Sequence, residues 1–98
     1  EGCRSNRWLT TLTIDSNKLG ITRDEIIENL ESENIESRPV WKPMHLQPLY
    51  NSCQYVRNDN RDVSAELFEK GLCLPSGSSL KEKDQNRIID IILKLLNE

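Results

Sequence analysis

Only one imidazole is available to this chain. His45 stands in "RPVWKPMHLQPLY", residues 38–50, a stretch that also holds Pro39, Pro43, Pro48, Trp41, Tyr50 and the sole methionine, Met44. Histidine is the side chain best suited to exchanging a proton near neutral pH. Asp59, Asp62 and several glutamates could partner it, but none stands at a spacing that specifies a dyad. Two readings of His45 are open: a contact to a ligand, or a cap on a proline-rich turn. Arg38 and Lys42 flank Trp41. Two cations beside an indole could hold an anionic ligand by charge-assisted hydrogen bonds while the ring stacks on a planar or sugar face. Equally, Trp41 could anchor a core while both cations reach solvent. A backbone limited by prolines loses little entropy on binding, which suits such a loop to recognition.

Other chemistries lack their motifs. No Gly-rich phosphate loop, H-E-x-x-H, G-x-S-x-G or clustered metal ligands occur. Cys3, Cys53 and Cys73 are odd in number and widely spaced, which fits neither a disulfide framework nor a paired zinc pattern, so free thiols are expected. Cys73 lies in the apolar "LCL" without a cationic neighbour and is expected to be an inert core thiol.

The elements that must position the loop follow from periodicity. "RWLTTLTI", residues 7–14, is rich in β-branched and aromatic types and predicts a strand with one better-buried face, Trp8, Thr10, Leu12 and Ile14 lying on one side and Leu9, Thr11 and Thr13 on the other. "DSNKLG" reads as a turn. Thr22-x-x-Glu25 is a capping box opening a helix over 23–33, with Ile26, Ile27 and Leu30 on a narrow apolar face and the glutamates in solvent. "IESRPV" predicts a short strand near 35–38, restricted to an edge or an end by Pro39. "VSAELFEKG" predicts a helix over 62–70, with Gly71 as a left-handed terminator, and "LCL" a buried strand over 72–74. Ser79-x-x-Glu82 repeats the capping box ahead of a last helix over 80–97. Its apolar surface is too wide for one-sided burial, which calls for cover on two sides.

Composition sets the outer limits. Ninety-eight residues suit one domain, and 36% hydrophobic with 30% charged residues fits a globular chain. A net charge of -3 leaves no electrostatic footprint for nucleic acid. No apolar run is long enough to span a bilayer, no leader pattern opens the chain, and a cytoplasmic protein is expected. The start Glu1-Gly2-Cys3, without methionine, is what a piece cut from a longer protein would show.

Three stretches in order carry more than any one of them: "SNRWLT" at 5–10, "SRPVWKPMHLQPLY" at 37–50 and "AELFEKGLCLPSGSSLKEKDQNRIIDII" at 65–92. Together they resemble the C-terminal segment of the DegT/StrS family of pyridoxal-phosphate-dependent sugar aminotransferases, in the branch that aminates nucleotide-linked 4-keto-6-deoxy sugars for pilin or surface glycan synthesis. The order strand, helix, strand, long loop, helix, strand, helix already predicts an α/β two-layer sandwich, a small sheet with helices packed on it, and the resemblance implies that this is the small C-terminal domain of fold-type I aminotransferases. Residues 1–98 would form that single domain, and the large cofactor-binding domain would lie outside this chain. The family's cofactor, pyridoxal 5'-phosphate, would be held by that large domain through a lysine and an aspartate that no residue here matches. None is expected on this chain alone, which should be inactive and hold no catalytic residue.

By the same resemblance, His45 matches the histidine of an H-x-Q-P loop that reaches the nucleotide sugar near its diphosphate or the cofactor pocket. Arg38, Trp41 and Lys42 fall at substrate-side positions, as diphosphate and sugar contacts. Gln47 and Tyr50 continue the motif, with a structural role left open. The implied partners are a nucleotide-linked keto sugar, UDP-linked, with glutamate as amino donor, the large domain of the same chain, and a second copy in a homodimer; neither nucleic acid nor membrane is among them. The alternative is a free-standing small binding or interaction domain without catalysis.

Overall fold

The computed structural model describes residues 1–97. Its elements are β1 (Thr10–Thr13), α1 (Ser16–Leu19), α2 (Arg23–Ser32), β2 (Arg38–Pro39), α3 (Val63–Lys70), β3 (Gly71–Leu74) and α4 (Glu82–Leu96). Two short 3-10 turns, Met44–Leu46 and Pro48–Tyr50, lie in the long connection between β2 and α3. The strands form one sheet in the order β1-β3-β2, antiparallel throughout, so the last strand of the sequence is the central one. Leu12 pairs with Leu72, Thr11 and Arg38 both pair with Cys73, and Pro39 pairs with Leu72. The architecture is the expected α/β two-layer arrangement, with β2 on an edge where Pro39 needs no ladder donor.

Alternation along the strands sorts the two faces. Leu12 and Leu72, with Ile14 beyond the end of β1, point into a core completed by Ile26 and Leu30 of α2, Ile35, and Ile88 of α4. Ile26, Leu30 and Leu72 are fully buried, each contributing about 2 kcal/mol of hydrophobic stabilisation. Thr11, Arg38 and Cys73 lie on the opposite face, which no helix of the core layer covers. Helix α2 begins as its sequence dictates: the Thr22 hydroxyl accepts from the Glu25 amide at 3.2 Å, and the Glu25 carboxylate accepts from the Thr22 amide at 2.7 Å. "DSNKLG" is one helical turn, capped by Asp15 and closed by Gly20 at φ 71°.

Three expectations need correction. Gly71 is not a left-handed terminator: its φ of -94° and ψ of 140° are those of a strand, and α3 passes into β3 without a loop. Ser79 does not cap α4. Leu80 closes a turn onto the Gly77 carbonyl at 3.0 Å, and the helix starts after Lys81, whose side chain makes no cap bond. Glu82 and Asp84 in the first turn still suit the positive end of the helix dipole. Cys73 is only half-buried, because its strand turns it away from the core. On α4, Ile88 is buried while Ile89 and Leu93 remain exposed.

Candidate functional site

The loop after β2 serves two separate clusters. The first lies against the uncovered face of the sheet, in a cleft of about 600 Å³ whose walls include Arg38, Trp41, Lys42, Phe68 and Cys73. Register puts Arg38 there, since it pairs with Cys73 and shares its face. Phe68 is held from behind by Arg23 of α2. The Arg23 guanidinium lies over the Phe68 ring at 5.1 Å from its centroid and donates through Nη1 to the Phe68 carbonyl. That carbonyl is one of the four left without a helical partner at the end of α3, so the cation both caps the helix and fixes the cleft wall.

Within this cleft Trp41 is exposed and packs on Trp8, ring centroids 5.5 Å apart at 41°. An exposed indole pair is not the core anchor that the second reading of Trp41 required. Arg38 pairs with Glu36 at 2.6 Å, both side chains largely in water. Such a pair is worth about 0–1 kcal/mol, so an incoming anion can draw the guanidinium away from Glu36 at small cost. Ser37 also lines the cleft, and its buried hydroxyl has no hydrogen-bond partner among the described residues.

The second cluster forms around His45, whose ring is stacked on Tyr55 with centroids 3.6 Å apart and planes 7° from parallel. Its Nε2 lies 2.7 Å from Oδ2 of Asp62. Asp62 is the N-cap of α3: Oδ1 accepts from the Ala65 amide at 3.0 Å, the Tyr55 hydroxyl at 3.1 Å and the Ser64 hydroxyl at 3.2 Å. Burial pushes the Asp62 carboxyl up, but the hydrogen bonds from Ala65, His45, Tyr55 and Ser64 outweigh it and bring the group down to about 2. His45 is therefore tied to a distant helix start rather than capping its own turn.

The other candidates divide by role. Gln47 donates from Nε2 to the Lys42 carbonyl at 3.1 Å, and its own carbonyl accepts from the Tyr50 amide at 2.9 Å. It thus links the ends of the proline-rich segment, a structural task. Tyr50 is half-buried, with its carbonyl accepting from Cys53 at 3.0 Å. Sequence reasoning missed Tyr55 and Ser64, and did not choose Asp62 over Asp59. The available signal was the N-cap itself: a carboxylate fixed at a helix start leaves one oxygen free for a neighbour.

No lysine of the chain suits a Schiff base. All six are exposed, Lys42 at the cleft mouth included, whereas that chemistry needs an amine whose charge is suppressed by burial or a neighbouring cation. Among the described residues there is no group of three or more histidine, cysteine or carboxylate side chains able to hold a metal, and no helix long and apolar enough to cross a membrane.

Comparison with known proteins places the chain among aminotransferases by sequence and by fold. EpsN of Bacillus subtilis, provisionally assigned as a pyridoxal phosphate-dependent aminotransferase, is 47% identical over 94 residues, covering 95% of this chain and 24% of EpsN. GDP-perosamine synthase of Caulobacter vibrioides is 34% identical over 89 residues, 91% of this chain and 23% of that enzyme. The chain thus spans about a quarter of the length of the curated relatives it matches. Among solved structures, an aminotransferase from Brucella abortus superposes with a TM-score of 0.75 at 28% identity, over 92% of this chain and 22% of that one. The sequence model for the DegT/DnrJ/EryC1/StrS aminotransferase family matches residues 2–93, nearly the whole length, and the chain belongs to that family.

Proposed function

We propose that this chain is the small C-terminal domain of a pyridoxal-phosphate-dependent aminotransferase. In this reading the intact protein moves an amino group from glutamate to a 4-keto-6-deoxy sugar carried on a nucleotide, UDP being the one expected, for surface glycan or pilin glycan synthesis. The observation that carries it is the placement of Arg38, Trp41 and Lys42 around one cleft on the uncovered face of the sheet, in a chain matched to this family over residues 2–93. Two cations suit a diphosphate, and the Trp41 face suits a sugar or base. His45, held by Asp62, supplies a second polar contact. The exposed lysines do not fit the cofactor, so no chemical step is assigned to this chain. Its contribution is orientation of the substrate, which lowers the barrier by fixing the reacting geometry in advance.

The test uses the intact protein that carries this chain, loaded with cofactor and offered glutamate with UDP- or GDP-linked 4-keto-6-deoxy sugars. An amino sugar product is expected, and the nucleotide preference follows from the ratio of kcat/KM values. His45→Ala should lower kcat/KM at least about tenfold while leaving the melting temperature within a few degrees. Unchanged kinetics with a lower melting temperature would assign His45 a purely structural role, and absence of any amino sugar product would overturn the reading.

A further inference from the structure

The geometry around His45 is more specific than a loop contact requires. The ring is held by Nε2 alone, at 2.7 Å from Asp62. Nδ1 has no hydrogen-bond partner among the described residues, on a side chain that keeps 16% of its surface exposed. One ring face is covered by Tyr55. Asp62 has no freedom to exchange its oxygens, since Oδ1 already accepts from the Ala65 amide and from the hydroxyls of Tyr55 and Ser64. Oδ2 is left for the ring. With its pKa held at about 2, the carboxylate can only accept at neutral pH. The hydrogen between the two groups therefore belongs to Nε2.

We infer that Asp62 and Tyr55 are positioning residues that fix His45 with its hydrogen on Nε2 and present Nδ1 as the ring atom that meets the ligand. This rests on the substrate-side role proposed for His45 and makes it chemically specific. In the neutral ring Nδ1 offers a lone pair, which accepts a hydrogen bond from a hydroxyl and opposes a phosphate oxygen. His45 then reads a hydroxyl of the sugar, and the diphosphate is left to Arg38 and Lys42. Tyr55 serves twice, stacking on the ring and anchoring through its hydroxyl the carboxylate that orients it.

Asp62→Asn separates this arrangement from simple packing. The three donors around Oδ1 retain the amide oxygen there, so the cap of α3 survives and the amide N–H is turned toward Nε2. Nε2 must then accept, and the ring hydrogen moves to Nδ1, as when the orienting aspartate of a catalytic triad is replaced by asparagine. In the intact protein labelled with ring-15N histidine, the His45→Ala spectrum identifies the His45 signals. The wild type should show the protonated nitrogen at Nε2 and Asp62→Asn should show it at Nδ1; the same tautomer in both overturns the inference. Asp62→Ser keeps a cap oxygen but removes the ring's partner, and should lose the slowly exchanging Nε2 proton signal. Retention of that signal also overturns the inference.

The kinetic arm keeps the two readings apart. Asp62→Asn should lower kcat/KM for the keto sugar roughly 10- to 100-fold, by analogy with the loss of a partner that orients a metal-bound histidine, with little further loss on adding His45→Ala. Full activity of His45→Ala would overturn the substrate-side role itself. An impaired His45→Ala beside a fully active Asp62→Asn would overturn only the positioning by Asp62.

Discussion

Gly71→Ala is the sharpest available probe of how the site is attached to the core. Gly71 joins α3 directly to the central strand, and its amide donates to the Leu67 carbonyl. Its backbone angles suit any residue, so the glycine is there for space. A methyl group at this position would fall 2.4 Å from the Leu67 carbonyl oxygen and 3.0 Å from both methyls of Val40. The first obstacle is backbone, held by the last turn of α3, and cannot rotate aside. Relief requires the helix end to separate from β3, which strains the bonds from Val40 to the Gly71 carbonyl and from Ile14 to the Lys70 carbonyl. Overpacking of this kind costs about 1–3 kcal/mol, and a rigid obstacle belongs at the upper end. Alanine also restricts the unfolded chain, a gain of about 0.4–1 kcal/mol. The net loss is about 2 kcal/mol, equivalent to a fall of about 10 °C in Tm for a domain of this size. Circular dichroism melts and urea titrations of the 98-residue chain measure it. A Tm equal to or above wild type would refute the steric argument. Full rescue by adding Val40→Ala would show that the Leu67 carbonyl is not the limiting contact.

Two other perturbations address local features. Thr22→Ala removes the hydroxyl that accepts from Glu25 and should destabilise by about 0.5–2 kcal/mol, read as a lower urea midpoint with an unchanged slope. Asp62 has a folded pKa of about 2 against an ordinary 3.8, so its stabilisation is fully present above about pH 4 and is lost as the pH falls toward 2. Melts taken across that window should show a steeper loss of Tm for wild type than for Asp62→Asn; parallel curves would contradict it.

Local signals were enough for most of the fold. Thr22-x-x-Glu25 set the start of α2, Pro39 put β2 on an edge, and "GLCLP" marked a short strand stopped by proline. What stayed hidden was pairing across distance. Nothing in the pattern of residues 71–74 says that they sit between strands from positions 10–13 and 38–39. The capping box at Ser79 failed because a turn from Gly77 to Leu80 displaced the hydroxyl from the helix start. The site was half legible for the same reason. Arg38, Trp41 and Lys42 are neighbours in sequence and share a cleft. The His45–Asp62 contact closes 17 residues of aperiodic loop, which a periodicity argument cannot bridge.

The loopless passage from α3 into β3 makes the helix a spoke set in the hub of the sheet. Asp62 stands at its outer end and Gly71 at its root, about 13.5 Å of helix apart. Any tilt of the central strand is delivered along that spoke to the imidazole, with no flexible joint to absorb it. The bearing of the His45 ring thus depends on the seat of β3 as well as on the prolines beside it. Substitutions under the sheet that shift β3 without unfolding the chain should reach the ring, while changes at the exposed tip around Leu49 should leave it in register.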